Sequence, residues 1–99
     1  MTSPLPVVFS DRARDRLHEI QGYIAFHNIR AAERVISRIL YAAEMLGDHP
    51  NLGPVWQGGP TRALAVTGLP YRVHYRVMAG ATVEVITIAH TSQLPPDGI

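Results

Sequence analysis

Ninety-nine residues make one small domain and leave no room for a second core. Apolar residues form 46% of the chain and charged residues 17%, a balance that supplies a packed core and excludes a disordered chain. The net charge of +1 rests on nine arginines with no lysine; so near neutrality, charge alone makes no case for nucleic-acid binding. Arginine codons in a GC-rich genome are the simplest source of that bias, although the planar guanidinium also suits phosphate and carboxylate recognition. With no cysteine there is neither a disulfide framework nor a thiolate metal site. Met1 to Phe9 lacks the charged start and apolar stretch of an export signal, and no apolar run approaches the length of a membrane span. The expected location is the cytoplasm.

Val7, Val8 and Phe9 predict a short strand, and Ser10-Asp11 reads as a helix cap followed by an acidic first turn. Ala13, Leu17, Ile20 and Ile24 then mark one apolar helical stripe with Tyr23 beside it, in a helix running to about His27. Arg12, Asp15, Arg16 and Glu19 on the other face are spaced for weak surface pairs. Asn28 caps a second helix, in which Ala32, Val35, Ile36, Ile39, Ala43 and Leu46 keep the helical period and Gly47 is the expected C-terminal cap. So short a connection folds the helices back as an antiparallel hairpin. Leu17, Ile20, Ile24, Ile36, Ile39 and Leu46 are the predicted core.

Pro50 forbids continuation, and the glycines and prolines between 47 and 62 predict a long loop in which Trp56 plugs the end of the core, a partner contact being the second reading. Strands follow at Arg62 to Val66, Tyr71 to Val77 and Thr82 to His90, the last two joined around Met78-Ala79-Gly80. Placing Gly80 in the left-handed position of a three-residue loop sets Val77 opposite Ala81 and His74 opposite Glu84. Strict alternation then gives Tyr71, Val73, Tyr75, Val77, Val83, Val85, Thr87 and Ala89 to the helix-covered face. Arg72, His74, Arg76, Thr82, Glu84, Ile86, Ile88 and His90 go to the open face. The tail from Thr91, with Pro95, Pro96 and Gly98, is expected to fray.

Five histidines, at 18, 27, 49, 74 and 90, show no ligand spacing, and Gly58-Gly59 lacks the context of a phosphate loop. No metal or cofactor is expected, and no basic amphipathic stripe points to a membrane. On the open face, arginines and a His/Glu pair are the groups with which a phosphodiester could be met; a solvated cross-strand pair is the plainer account of His74 and Glu84.

The order strand, helix hairpin, Pro/Gly loop and three-stranded meander resembles the RelE/ParE toxins, and its wording is similar to the ParE branch. The matching pieces are Ser10-Asp11-Arg12-Ala13 with Leu17, Ile20 and Tyr23-Ile24; His49-Pro50-Asn51-Leu52-Gly53; Tyr71-Arg72-Val73-His74-Tyr75-Arg76-Val77; and Thr82-Val83-Glu84-Val85 on to His90, together covering about residues 7 to 90. The resemblance implies an α+β fold: an N-terminal strand and an antiparallel helix hairpin packed on a mainly antiparallel sheet of about four strands. It also implies a plasmid- or genome-stability toxin held inactive by a cognate antitoxin, alone or as a homodimer or hetero-oligomer with it.

Two target classes follow from that resemblance. ParE toxins poison DNA gyrase without catalysis, whereas RelE toxins cut mRNA on the ribosome with basic residues, a tyrosine and sometimes a Glu/His pair. The target-binding set expected here is Arg62, Arg72, His74, Arg76, Glu84 and His90; for a nuclease, Arg72, Arg76, Glu84 and His90 would be catalytic. The chain has none of the lysines that many RelE-type nucleases use as catalytic groups and no tyrosine after His90, which favours the inhibitor. It also reads Thr91-Ser92-Gln93-Leu94-Pro95-Pro96 where ParE chains often carry an Arg-Asp pair, which leaves a third reading, a non-toxic protein-binding relic of the fold.

Overall fold

The computed structural model describes residues 3–92. β1 (Val7–Phe9) leads into α1 (Asp11–Ala25) and α2 (Ile29–Asp48), and β2 (Arg62–Ala65), β3 (Tyr71–Met78) and β4 (Thr82–His90) follow. The four strands form one sheet in the order β1-β4-β3-β2; β1 runs parallel to β4, and the other pairs are antiparallel. The sheet is therefore mixed, because the first strand docks beside the last. Of the tail expected to fray from Thr91, Thr91 is held by its N–H on the Pro70 carbonyl at 2.9 Å and Ser92 by its N–H on His90 Nδ1 at 3.1 Å; residues 93–99 lie outside the described residues.

One hydroxyl joins β1, α1 and β4. Ser10 Oγ accepts the Ala13 N–H at 3.1 Å, capping α1, and donates to the carbonyl of Ile86 at 2.7 Å. The Ser10 N–H reaches the Val85 carbonyl at 3.0 Å. These carbonyls mark a β-bulge: His74 pairs with Thr87 and Tyr75 with Val85, which leaves Ile86 without a partner on β3. Downstream of it the side chains of β4 exchange faces. Val83 and Val85 face the helices as expected, but Ile88 and His90 do so as well, opposite Val73 and Tyr71, while Thr87 and Ala89 face away. Strict alternation assigned these four residues the other way round, since it contained no extra residue.

The turn corrects a second expectation. Met78 pairs with Thr82 and Val77 with Val83, so the loop is Ala79 to Ala81, closed by the Ala81 N–H on the Met78 carbonyl at 2.9 Å. Ala79 and Gly80 both have positive φ, 51° and 68°, the conformation that follows the strand twist in a tight hairpin. Glu84 consequently pairs with Arg76, not with His74. Sliding the pairing by two residues preserved the faces of Val77 and Val83, which is why that part of the pattern survived.

The helices pack on one face. Ile20, Ile39, Ala43 and Leu46 meet Val73, Tyr75, Val83, Val85 and Ile88 in the buried core, with Leu17, Ile24 and Ile36 partly buried around them. Asn28 caps α2 through the Ala31 N–H at 2.9 Å. α1 ends at Ala25, short of His27, and Gly47 lies inside α2, whose cap is His49. Gly47 is glycine for another reason: an added Cβ would stand 2.5 Å from the Leu5 carbonyl oxygen. That close approach seats the segment before β1 against the end of α2, where the Leu5 N–H bonds the Gly47 carbonyl at 2.9 Å.

Ile39 has no exposed surface, so Ile39→Ala leaves a cavity beneath the hairpin. Chemical denaturation should show a loss of about 2–5 kcal/mol; an unchanged midpoint would contradict this packing.

Candidate functional site

The face of the sheet without helices is built from the outward residues of β3 and β4. Arg72, His74, Arg76, Glu84, Thr87 and Ala89 belong to it, and the long loop covers part of it. Trp56 does not plug the end of the core. It lies over this outer face, its ring edge-on to His74 at 5.0 Å between centroids, and the Arg72 guanidinium sits 5.1 Å from its ring centre. A cation over an indole contributes about 0.5–2 kcal/mol.

What holds the loop there is Tyr75, a residue for which the sequence suggested only burial. Its phenol accepts the Gly53 N–H at 2.9 Å and donates to the Pro50 carbonyl at 2.8 Å. Burial raises the Tyr75 pKa above its ordinary value, so the hydroxyl keeps the proton it donates. Gly53 packs so tightly on Ala63 and Tyr75 that an added Cβ would lie 2.9 Å from either. Arg62 completes the clasp by donating to the Gly53 carbonyl at 2.8 Å.

The six expected target-binding residues are therefore divided. Arg72, His74, Arg76 and Glu84 share the helix-free face. Arg62 stands opposite Tyr75, on the helix side, and is half-buried. The bulge turns His90 to the helix side too, into a cleft with Arg16 and Tyr71. Of the four, only Arg76 and Glu84 touch directly, Nε to Oε1 at 2.8 Å, an exposed pair worth under about 1 kcal/mol. Among the described residues no group of three or more His, Cys, Asp or Glu is placed to hold a metal, and no helix is long and apolar enough to cross a membrane.

His74 is fully buried, and neither ring nitrogen has a hydrogen-bond partner. Burial lowers its pKa below 6.5, and the nearby charges of Arg72 and Arg12 lower it further. The ring is neutral at pH 7.

A second surface runs along α2. An apolar groove of about 630 Å³ separates it from β2, the last strand of the sheet, with Tyr41, Met45, Leu52 and Leu64 among its walls. Tyr41 is 65% exposed and Leu52 48%, so the groove lacks a cover on that side. Arg38 on its rim continues into Arg34 and Arg30, one helical turn apart along α2. Among the described residues, none of these three arginines is in an ion pair.

Because the folded chain holds His74 below its ordinary pKa, the unfolded chain binds the extra proton first. The His74 contribution to stability is complete above about pH 6.5 and is lost as the pH falls toward the lowered value. Denaturation midpoints at pH 7.5 and 5 should differ less in His74→Leu than in the parent; an identical difference would show that His74 does not carry the dependence.

The comparisons with known proteins agree with one another. Residues 7–95 match the model of the ParE toxin of the type II toxin-antitoxin system, parDE. Y4kP from Sinorhizobium fredii (strain NBRC 101917 / NGR234), a toxin by name, is 36% identical over 85 residues, 86% of each chain. Among solved structures the fold is similar to a chromosomal ParDE system of P. aeruginosa (TM-score 0.76, 17% identity, 87% of this chain and 95% of that one). It is similar as well to the RelBE2 toxin-antitoxin complex of Mycobacterium tuberculosis (TM-score 0.65, 22% identity, 89% and 99%). At these identities the structures establish the fold, and the family match carries the assignment: the chain belongs to the ParE toxin family of type II toxin-antitoxin systems.

Proposed function

We propose that this toxin inhibits DNA gyrase by binding it, in the cytoplasm, without catalysis, and that it is neutralised by an antitoxin. The observation that carries the inhibitor reading is the division of the acid–base groups. A nuclease needs a general acid and base within reach of one phosphodiester. Here His90 lies across the sheet from Arg72, Arg76 and Glu84, Glu84 is bonded to Arg76, and His74 is buried beneath Trp56. What remains on the helix-free face is a recognition surface in which a tryptophan and two arginines stand together. Those residue types dominate binding energy where partners meet.

The proposed antitoxin site is the groove between α2 and β2. Its apolar walls suit an amphipathic or extended segment, and the row Arg30, Arg34 and Arg38, in which Arg38 donates to the Thr67 carbonyl and none is in an ion pair among the described residues, suits acidic residues on that segment. Occupation would leave the helix-free face partly open, so inactivation would also require the antitoxin to wrap toward Trp56.

Purified chain should inhibit gyrase supercoiling and leave ribosome-bound message uncut. Arg72→Ala and Arg76→Ala should each weaken inhibition in a graded way, by about tenfold. Message cleavage by the parent chain, abolished in Glu84→Ala or His90→Ala, would overturn the reading in favour of a nuclease.

For the antitoxin, Arg30→Glu with Arg34→Glu should weaken binding of the protein encoded beside this gene by about tenfold or more while the thermal midpoint holds. Unaltered affinity would move the antitoxin site elsewhere.

A further inference from the structure

On the helix side, α1 and the ends of β3 and β4 enclose a cleft of about 480 Å³, within the size range of small-ligand sites. It contains none of the helix-free residues on which gyrase inhibition rests. Arg16, Glu19 and Tyr23 come from α1, Tyr71 from β3 and His90 from β4.

The polar groups converge with their hydrogen-bonding capacity unspent. Arg16 Nε donates to the Ile88 carbonyl at 3.1 Å, which fixes the guanidinium and leaves its terminal nitrogens to the cleft. Glu19 Oε2 lies 3.6 Å from Arg16 Nη1, too far for a well-made hydrogen bond. A donor pair and an acceptor pair thus stand side by side, each short of a partner. Ser92 directs its N–H at His90 Nδ1, 3.1 Å away, and its hydroxyl oxygen lies 2.6 Å from the same nitrogen. With Nδ1 accepting the Ser92 N–H, the ring N–H is at Nε2, which is a donor. Rings provide the apolar walls: Tyr71 lies edge-on to His90 at 5.4 Å, and Tyr23 is 75% exposed.

We propose that this cleft binds a guanine base, presented as a free nucleoside. Guanine offers N7 and O6 as acceptors and an exocyclic amine as donor, with the ring N1–H beside that amine. O6 and N7 would take the Arg16 and His90 donors, N1–H and the amine would share the Glu19 carboxylate, and the planar body would lie against Tyr71 and Tyr23. The opposite charges of Arg16 and Glu19 favour a neutral ligand over a phosphate, which Glu19 repels. Adenine is disfavoured because its amine stands where O6 would be, facing donors.

Calorimetric titration of the full chain with guanosine should show saturable one-to-one binding. Adenosine should bind about tenfold more weakly or worse, and inorganic phosphate should not compete. Glu19→Gln and His90→Ala should each lower guanosine affinity by about tenfold or more, with the circular dichroism of the folded chain retained. The proposal is overturned by the absence of saturable guanosine binding at millimolar concentration, by equal affinity for adenosine, or by displacement with phosphate. Supercoiling inhibition is measured separately, so loss of either result leaves the other standing.

Discussion

A single side chain, Ser10, fixes the relation between the helices and the sheet. Its hydroxyl spends its donor on the Ile86 carbonyl at the bulge and one acceptor on the first turn of α1. Its backbone N–H takes the Val85 carbonyl. The start of α1 is thereby tied to the point where β4 carries an unpaired residue. A bulge there without these bonds would leave carbonyls unsatisfied next to the core. With them, Ile88 is free to enter the core and His90 to reach the cleft beside α1. The helix-free face and the cleft beside α1 diverge from that point.

Most of the fold was legible in the sequence because it is written in local chemistry. Ser10 and Asn28 are strong helix caps, Ile39 and Leu46 repeat at helical spacing, and Val7–Phe9 and Thr82–His90 are bounded by residues that end strands. The site was legible only in part, since it depends on which way side chains point. Alternation is a local rule, and the bulge that breaks it is a property of the pairing between β3 and β4. Ile86 carries no glycine-like signal to announce it. Gly47 misled for a related reason: a glycine near a helix end suggests a cap, whereas here the need for it comes from Leu5, far away in the chain. Trp56 and Tyr75 show the same limit, for the clasp joining the loop to the sheet exists only after both are folded.

The helix-free face is less open than its composition suggests. Arg72 lies over the Trp56 ring, Trp56 meets His74 edge-on, and His74 is enclosed with its ring nitrogens unpaired. A buried polar group without a partner costs stability that an apolar side chain of similar bulk would not. A histidine retained there makes the packing of Trp56 sensitive to protons, so the surface that Trp56 presents is coupled to pH through a residue buried beneath it.

The pairing of the first strand with the last also governs when the molecule becomes competent. β1 finds its neighbour only in β4, and the Ser10 hydroxyl reaches across 76 residues to its acceptor. Contacts of that span are costly to close and form late. During synthesis the helix hairpin emerges first, with its apolar stripe unprotected and no sheet to receive it. Neither the helix-free face nor the cleft exists until β4 has left the ribosome and accepted β1 along its edge. A chain cut short before β4 therefore presents neither surface, and for the interval of translation the hairpin stands with its apolar stripe exposed and no sheet beneath it.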